Sequence, residues 1–354
     1  MTPTLKSLKY NWIQALRALA ALMVVVFHSK SMFADDGTRE QLWWVPGFSD
    51  FGDYGVSLFF VISGFIIATV LDRPSLSILD FIKRRFFRIF PLLWVVMFVA
   101  AYHYYLRNWY AAEFEALGLK SFAMSAFAIP QKDYPFWAPG WTLEHEVLFY
   151  VIAALVFPFV RLKGLAIILV ALGVLGILFK PGWDYHLTYN GQIYFAGGIF
   201  AYLFKEAGWR KALPLALLGL GLVYAGAYKL IPLNPNLGHF LFSLGAGALI
   251  VASIDIERRG IVPPKAITLL GDASYSLYLW HWLMIPIAAL FMWKWGGPNE
   301  MWRWIYVGAS IVVALLSFQM IEKPIIAFSH RKWFKRHDGA HLRKATRTSA
   351  RPRT

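Results

Sequence analysis

Apolar stretches long enough to cross a lipid bilayer recur along most of the chain, and they restrict its fold more than any other feature. A helical span needs about 20 consecutive, mostly apolar residues. Hydrophobic residues make up 58% of the chain and charged residues only 16%, so a water-soluble domain would expose too much apolar surface. We predict about ten transmembrane helices in an all-α, polytopic membrane helix bundle. The predicted spans are 12–31, 54–71, 87–105, 142–160, 164–180, 190–205, 213–230, 236–253, 272–293 and 303–321.

The distribution of basic residues predicts how the bundle is oriented. Loops on the cytoplasmic side of a membrane are enriched in Lys and Arg. With ten spans, 25 of the 35 Lys and Arg residues fall on the side of the two termini, nine fall on the other side, and Arg17 lies within a span. We therefore expect a multi-pass protein of the cell (inner or cytoplasmic) membrane with both termini in the cytoplasm. Basic loops also explain the formal charge of +15 without nucleic-acid binding.

Two segments differ from the spans. Residues 1–330 are predicted to form one transmembrane domain, and residues 331–354 a basic, disordered cytoplasmic tail that touches anionic lipid or binds a specific partner. The longest outward connection, 106–140, runs into an aromatic sequence that ends at Trp141. This sequence either caps a site or lies on the membrane surface.

The absence of cysteine limits the available chemistry. It excludes disulfides, Cys-ligated zinc and thioester-forming Cys nucleophiles, so a reaction must use other side chains or bound ligands. We predict no metal site and no permanently bound cofactor. An ionisable residue inside a membrane span is costly, so it is a candidate functional residue by default.

The first predicted span contains two such residues, Arg17 and His28. They are eleven residues apart, which brings them within about 20° of the same helix face and about 16 Å apart along the axis. Arg17 is nearer the cytoplasm, and His28 lies in the outer part of the span. The shared face favours a common function over a snorkelling arginine and a histidine that caps a helix end.

Glu146 lies in the fourth predicted span, about 7 Å below its outer end. His28 lies at a similar depth in the first span, so a carboxylate and an imidazole can meet. The carboxylate would orient the ring and raise its basicity. We predict His28 and Glu146 as a catalytic pair. Glu144 and His145 are closer to water and are interpreted as interfacial residues.

Basic residues cluster before the third predicted span, at its cytoplasmic end. Arg85 and Arg88 are one turn apart and share a helix face. Guanidinium groups bind phosphates through paired hydrogen bonds, so both are candidate ligand-binding residues. Anchoring of the span by positive charge is the alternative for this pair, and it is the preferred interpretation for Lys83 and Arg84.

Further polar side chains inside spans are candidates for a substrate path. Ser63 in the second span either packs helices together or lines the path. His281 in the ninth span either hydrogen-bonds a neighbouring helix or lines the path. Tyr278 and Trp141 complete this set.

Six sequence motifs occur in a fixed order along residues 10–325. They are Leu16-Arg17-Ala18 with His28, Gly55 to Phe65, Arg85 to Pro91, Trp141 to Tyr150, Ser274 to His281, and Glu322-Lys323-Pro324. Together they resemble the acyltransferase-3 family of polytopic membrane acyltransferases, and they are most similar to members that O-acetylate bacterial exopolysaccharides. The basic tail lies outside the resemblance.

The resemblance implies a membrane O-acyltransferase, most simply an O-acetyltransferase. Its donor would be acetyl-CoA or another acyl-CoA on the cytoplasmic side, used as a co-substrate. The acceptor would be a hydroxyl of a cell-surface or exopolysaccharide carbohydrate, or of its lipid-linked precursor. Further implied partners are membrane lipid and polysaccharide assembly proteins, and no nucleic acid. Four residues match positions that the family treats as essential, and a fifth matches its recurrent glutamate: Arg17, His28, Arg85, Arg88 and Glu146.

These roles combine into one hypothetical mechanism. Arg85 and Arg88 would hold the CoA phosphates, and the thioester arm would pass Arg17 to reach His28. His28 would then deprotonate the sugar hydroxyl, or form a covalent acyl-His intermediate. A transporter or flippase with a His28–Glu146 proton relay is the alternative, and a non-catalytic scaffold is a third. The ordered motifs favour the enzyme.

Overall fold

The described part of the chain is helical. The computed structural model describes residues 10–33, 52, 54–73, 77–107, 111–179, 186–206, 212–227, 236–295, 299–329 and 331, and within these ranges it contains no β-strand. The predicted tail lies outside the described residues except for Arg331. The domain boundary at residue 330 therefore stays a prediction.

Twelve α-helices follow one another in the described ranges, with a 3₁₀ turn at Ser29–Met32 after the first and a π-helical turn at Phe318–Glu322 before the last. The helices are α1 (Asn11–His28), α2 (Tyr54–Leu71), α3 (Ile78–Arg107), α4 (Ala111–Ala126), α5 (Gly140–Phe179), α6 (Gln192–Phe204), α7 (Ala212–Ala227), α8 (Leu237–Arg258), α9 (Lys265–Asp272), α10 (Ser274–Lys294), α11 (Glu300–Ser317) and α12 (Lys323–Ser329).

Seven helical segments among the described residues are long and apolar enough to cross a membrane, and two shorter apolar helices accompany them. The longest, α5, has 40 residues and contains non-helical backbone at Arg161, with φ 56° and ψ −168°. Each half is then about 30 Å long, which matches one hydrocarbon core. The predicted spans 142–160 and 164–180 fall on these two halves. The protein is therefore a multi-pass membrane helix bundle, while the exact number of crossings and the side of the termini stay predictions.

Three helical regions differ from the sequence prediction. α3 begins at Ile78, well before the predicted start of the third span at residue 87. Arg and Lys are good helix formers although they are poor membrane residues, so the helix extends through the basic cluster. α4 and α9 are also helical, although both lie in predicted connections.

Glycine lets the backbones of α2 and α6 touch. A Cβ atom at Gly64 would lie 2.0 Å from the carbonyl oxygen of Phe195, and one at Gly198 would lie 1.9 Å from that of Val61. Helices in lipid associate through small residues because apolar burial gives no driving force between them. These two glycines therefore fix α2, which carries Ser63, against α6.

Replacing Gly198 by alanine is expected to lower the midpoint of thermal unfolding in detergent by several degrees. Alanine favours the helix by about 1 kcal/mol over glycine, but forcing a methyl group against Val61 costs about 1–3 kcal/mol. Gly308→Ala is the matched control, because a Cβ there meets nothing within 4 Å. Equal midpoints for the two variants, measured by intrinsic fluorescence, would contradict this packing.

α1 is held at its first turn by a carboxylate from α8. Glu257 accepts hydrogen bonds from the backbone N–H groups of Asn11 at 3.0 Å and Trp12 at 3.2 Å. These N–H groups have no partner within their own helix, and negative charge at a helix N-terminus is stabilising. α1 also packs against α2, α9 and α10, so it occupies a central position and carries Arg17 into the bundle.

Candidate active site

A cavity of about 500 Å³ lies between α1, α2, α3, α5, α10 and α12. The charged side chains among the described lining residues are Arg17, Arg73, Arg84, Arg85, Arg88 and Glu146. Five cations facing one carboxylate make the cavity electropositive, which attracts anionic ligands. The cavity thus brings together three predicted arginines and the predicted glutamate.

Arg85 and Arg88 differ in their surroundings. The Cζ atom of Arg85 lies 5.6 Å from the centre of the Tyr150 ring, and its Nε is buried with no hydrogen-bond partner among the described residues. Arg88 forms an ion pair with Glu322, which also accepts a 2.6 Å hydrogen bond from Ser276. Arg85 therefore keeps a donor for a ligand, whereas Arg88 is held by a buried carboxylate.

Arg17 lines the same cavity from α1. Its Nη1 donates a 2.9 Å hydrogen bond to the side chain of Gln14, one turn earlier on α1. It also interacts electrostatically with Asp272 and Glu146. The opposite charges of these two carboxylates offset the cost of placing a guanidinium inside the bundle.

Glu146 belongs to a hydrogen-bonded group that spans α2 and α5. It accepts a 2.9 Å hydrogen bond from Ser63 and a second hydrogen bond from Tyr150. Ser63 and Tyr150 also lie 3.5 Å apart. All three side chains line the cavity, so the predicted substrate-path residue Ser63 and the predicted catalytic Glu146 share one polar wall.

Thr142 lies eight residues before Tyr150 on α5, about 12 Å along the axis, and it contacts Tyr278, which packs against Phe59. These three residues therefore line the end of the cavity away from Arg85, which packs on Tyr150. The Tyr278 hydroxyl donates a 3.0 Å hydrogen bond to the carbonyl oxygen of Pro139 and lies 2.8 Å from Thr142 Oγ1. Pro139 belongs to the aromatic sequence before α5, in which Trp137 is fully buried. Of the two predicted alternatives, the structure favours a cap over the cavity rather than a surface segment.

His28 and His281 form a pair directly beyond this end of the cavity. His28 Nδ1 lies 3.3 Å from His281 Nε2, and the His281 ring lies 5.6 Å from the Tyr278 ring, centre to centre. Neither histidine is among the residues that line the cavity. His28 therefore contacts α10, whereas Arg17 lines the cavity itself.

The structure therefore brings together some predicted site residues and separates others. Glu146 bonds to Ser63 and Tyr150, and His28 bonds to Val24 and His281; Glu146 and His28 do not bond to each other. Depth along the membrane normal suggested that they could meet, but depth does not fix which way a side chain points. The catalytic roles of the two residues stay predictions.

The interfacial interpretation of Glu144 and His145 is wrong, because each is only 1% exposed. Glu144 accepts a 3.0 Å hydrogen bond from the Gln131 side chain and lies 2.9 Å from His186 Nε2. Trp141 packs edge-on against the His145 ring at 5.9 Å. Two connections of the chain, around residues 131 and 186, fold over this end of α5 and exclude water from it.

Tyr150 and Glu322 are site residues that appear in the sequence motifs but were not predicted to have a functional role. Tyr150 lies one turn after Glu146 on the same helix face, so the four-residue spacing could have indicated it. Glu322 contacts Arg88 across 234 residues of sequence. Local spacing carries no signal for such a contact.

A polytopic membrane bundle that encloses an electropositive cavity defines the general class of this protein. The family model described as an acyltransferase domain matches residues 10–322, and the chain belongs to the acyltransferase-3 family. The protein is therefore a membrane acyltransferase, and the resemblance recognised in the six motifs is confirmed.

Several named relatives show which kinds of membrane acyltransferase the chain is similar to. The chain is 31% identical over 297 residues to the exopolysaccharide production protein ExoZ of Rhizobium meliloti, covering 78% of this chain and 90% of that protein. It is 26% identical to the peptidoglycan O-acetyltransferase OatA of Listeria monocytogenes, and 23% identical to the O-acetyltransferase OatA of Staphylococcus aureus. The matches to the two OatA proteins cover 91% of this chain but only 57% of theirs. No solved structure matches the chain.

Proposed function

We propose that the protein transfers an acetyl group from acetyl-CoA to a hydroxyl of an exopolysaccharide carbohydrate or of its lipid-linked precursor. The observation that carries the proposal is the electropositive cavity, which joins the α3 arginines to the region beside the His28–His281 pair. CoA carries several negatively charged phosphates and a long, thin thioester arm. The phosphates suit the basic end of the cavity, and the arm suits the rest of it. The protein would act in the cytoplasmic membrane.

In this proposal the arginines bind the donor. Arg85 donates from its guanidinium to a CoA phosphate, because charge-assisted pairs of this kind are strong and geometrically specific. Arg17 lies along the route of the arm, about 16 Å from His28 along the axis of α1. Arg88 contributes positive charge while Glu322 fixes its position.

The chemical step is an acyl transfer with His28 as general base. The acceptor oxygen attacks the thioester carbonyl carbon, its proton passes to His28, and the carbon–sulfur bond breaks. The imidazolium then protonates the departing thiolate, so the products are the O-acetyl ester and free CoA. His28 does not line the cavity, so in this proposal the Tyr278 ring, which lines the cavity and contacts His281, moves to give access to it. Glu146 forms part of the cavity wall with Tyr150 and Ser63.

The relatives support an exopolysaccharide acceptor. One is named as an exopolysaccharide production protein and matches over 90% of its own length, and others are named as O-acetyltransferases. Polysaccharide assembly proteins are the further partners that such an acceptor implies. A proton relay through His28 and Glu146 is less favoured, because in the described structure they belong to separate hydrogen-bonded groups.

The proposal is tested by mass spectrometry of surface glycans from cells with and without the protein. We expect an acetyl increment on one sugar to be lost without the protein and restored by the wild-type gene. Proteoliposomes given isotopically labelled acetyl-CoA and that glycan should transfer the label to it. Unchanged glycans together with no label transfer would contradict the proposed function.

A further inference from the structure

The His28–His281 pair has a hydrogen-bond geometry that specifies where the protons lie. His28 Nδ1 is 3.0 Å from the carbonyl oxygen of Val24 and 3.3 Å from His281 Nε2. The two ring centres are 5.1 Å apart, with an interplanar angle of 36°. Nδ1 of His28 therefore faces two atoms. Whether Nδ1 carries a hydrogen depends on whether those two atoms donate or accept hydrogen bonds.

His281 is fixed by its own backbone surroundings. It is fully buried, and its Nδ1 lies 2.5 Å from the carbonyl oxygen of Tyr278. The Tyr306 hydroxyl donates a 3.2 Å hydrogen bond to the carbonyl oxygen of His281. A carbonyl oxygen can only accept, so Nδ1 of His281 carries the hydrogen. A neutral ring then has its lone pair at Nε2, which faces His28.

His28 Nδ1 consequently lies between two acceptors. Both the carbonyl oxygen of Val24 and Nε2 of His281 accept, so the hydrogen of His28 is on Nδ1 and is shared between them. The lone pair of His28 is then at Nε2, the nitrogen that makes neither contact. Trp282 packs edge-on against the His28 ring at 5.1 Å and limits its rotation.

We propose that His281 is a positioning residue that holds His28 as its Nδ1–H tautomer and so keeps Nε2 ready to accept a proton from the acceptor hydroxyl. A buried carboxylate has this role in serine hydrolase triads; here a neutral imidazole would have it. As His28 gains a proton at Nε2, positive charge spreads to Nδ1–H and the hydrogen bond to His281 strengthens. This inference rests on the proposed function, in which His28 is the general base.

The kinetic test compares two substitutions of His281. His281→Phe removes the acceptor and is expected to lower kcat by about 10–100-fold, the range known for partners that orient metal-ligating histidines, because Val24 still holds the ring in part. The KM for acetyl-CoA should change by less than about twofold, since His281 does not line the donor cavity. His281→Gln places an acceptor oxygen near the position of Nε2 and should restore most of kcat. Full activity of His281→Phe, or equal losses in both variants, would overturn the inference.

A second experiment determines the tautomer of His28 in the wild-type protein, so it does not depend on whether a variant at position 281 folds. With ¹⁵N-labelled histidine, NMR distinguishes a protonated from an unprotonated ring nitrogen, and the signals of His28 are identified by their loss in His28→Gln. We expect Nδ1 protonated and Nε2 unprotonated. The opposite tautomer overturns the role of His281 even if His28 is essential. If His28 itself proves dispensable, the proposed base fails and this inference fails with it.

Discussion

Replacing His28 by alanine is expected to lower kcat for acetyl transfer by about 10³-fold, within the range that a general base contributes. The KM for acetyl-CoA should remain near the wild-type value, because His28 is not among the lining residues of the cavity. Transfer of label from acetyl-CoA to the glycan in proteoliposomes measures both constants. The loss arises in the chemical step, so equilibrium binding of acetyl-CoA should be retained.

His239→Ala is a suitable control for this experiment. His239 is also a partly buried histidine of the bundle, and it contacts the hydroxyl of Tyr194 at 2.7 Å and the side chain of Asn190 at 2.9 Å. It does not line the cavity. A folded His28→Ala protein that transfers acetyl groups as fast as His239→Ala would remove His28 from the reaction.

Arg85→Ala is expected to raise the KM for acetyl-CoA by about 10–100-fold, with a much smaller change in kcat. A hydrogen bond to a charged group contributes about 1.5–3 kcal/mol, and about 1.4 kcal/mol corresponds to a tenfold change in affinity. Arg85 has a buried Nε with no hydrogen-bond partner among the described residues, so the substitution breaks no hydrogen bond of that atom, and the packing of the guanidinium on the Tyr150 ring is the protein contact that it removes. Binding of acetyl-CoA to the detergent-solubilised protein, measured by calorimetry, gives the affinity directly.

The control for Arg85 comes from the same helix. Lys83→Ala removes a positive charge two residues away that does not line the cavity, and it should leave the KM unchanged. Arg88→Ala is a poor control, because it leaves the buried Glu322 without its ion pair, and such a loss is strongly destabilising. An equal rise in KM for Arg85→Ala and Lys83→Ala would show that general positive charge, rather than a phosphate contact, attracts the donor, and an unchanged KM for Arg85→Ala would contradict the phosphate contact.

The sequence predicted the helices well where apolar residues dominate. The second span was predicted at 54–71, and α2 occupies Tyr54–Leu71. The prediction was least accurate where segments with many charged or polar residues form helices, as at the start of α3 and in α9. Hydropathy measures preference for lipid, whereas the start of α3 is helical because Arg and Lys favour helix, and α9 is helical because it packs against α1.

For the candidate site, the residue types and the partners one turn away on the same helix were predictable, but the partners on other helices were not. Ionisable residues inside spans identified Arg17, His28 and Glu146, and all three are at or next to the cavity. Their observed contacts run to Gln14, His281 and Tyr150 instead of joining His28 to Glu146. The partner of His28 is 253 residues away in the sequence, so no local pattern could indicate it.

The sequence alone determined that this protein is a membrane bundle and which family it belongs to, and it predicted a depth for each costly polar group. Depth follows from a fixed rise of about 1.5 Å per residue along a helix. Only the tertiary structure decided which polar groups meet. Each helix is also rotated about its axis and placed beside particular neighbours, and sequence spacing within one helix specifies neither. For that reason His28 of α1 meets His281 of α10, and Glu146 of α5 accepts a hydrogen bond from Ser63 of α2.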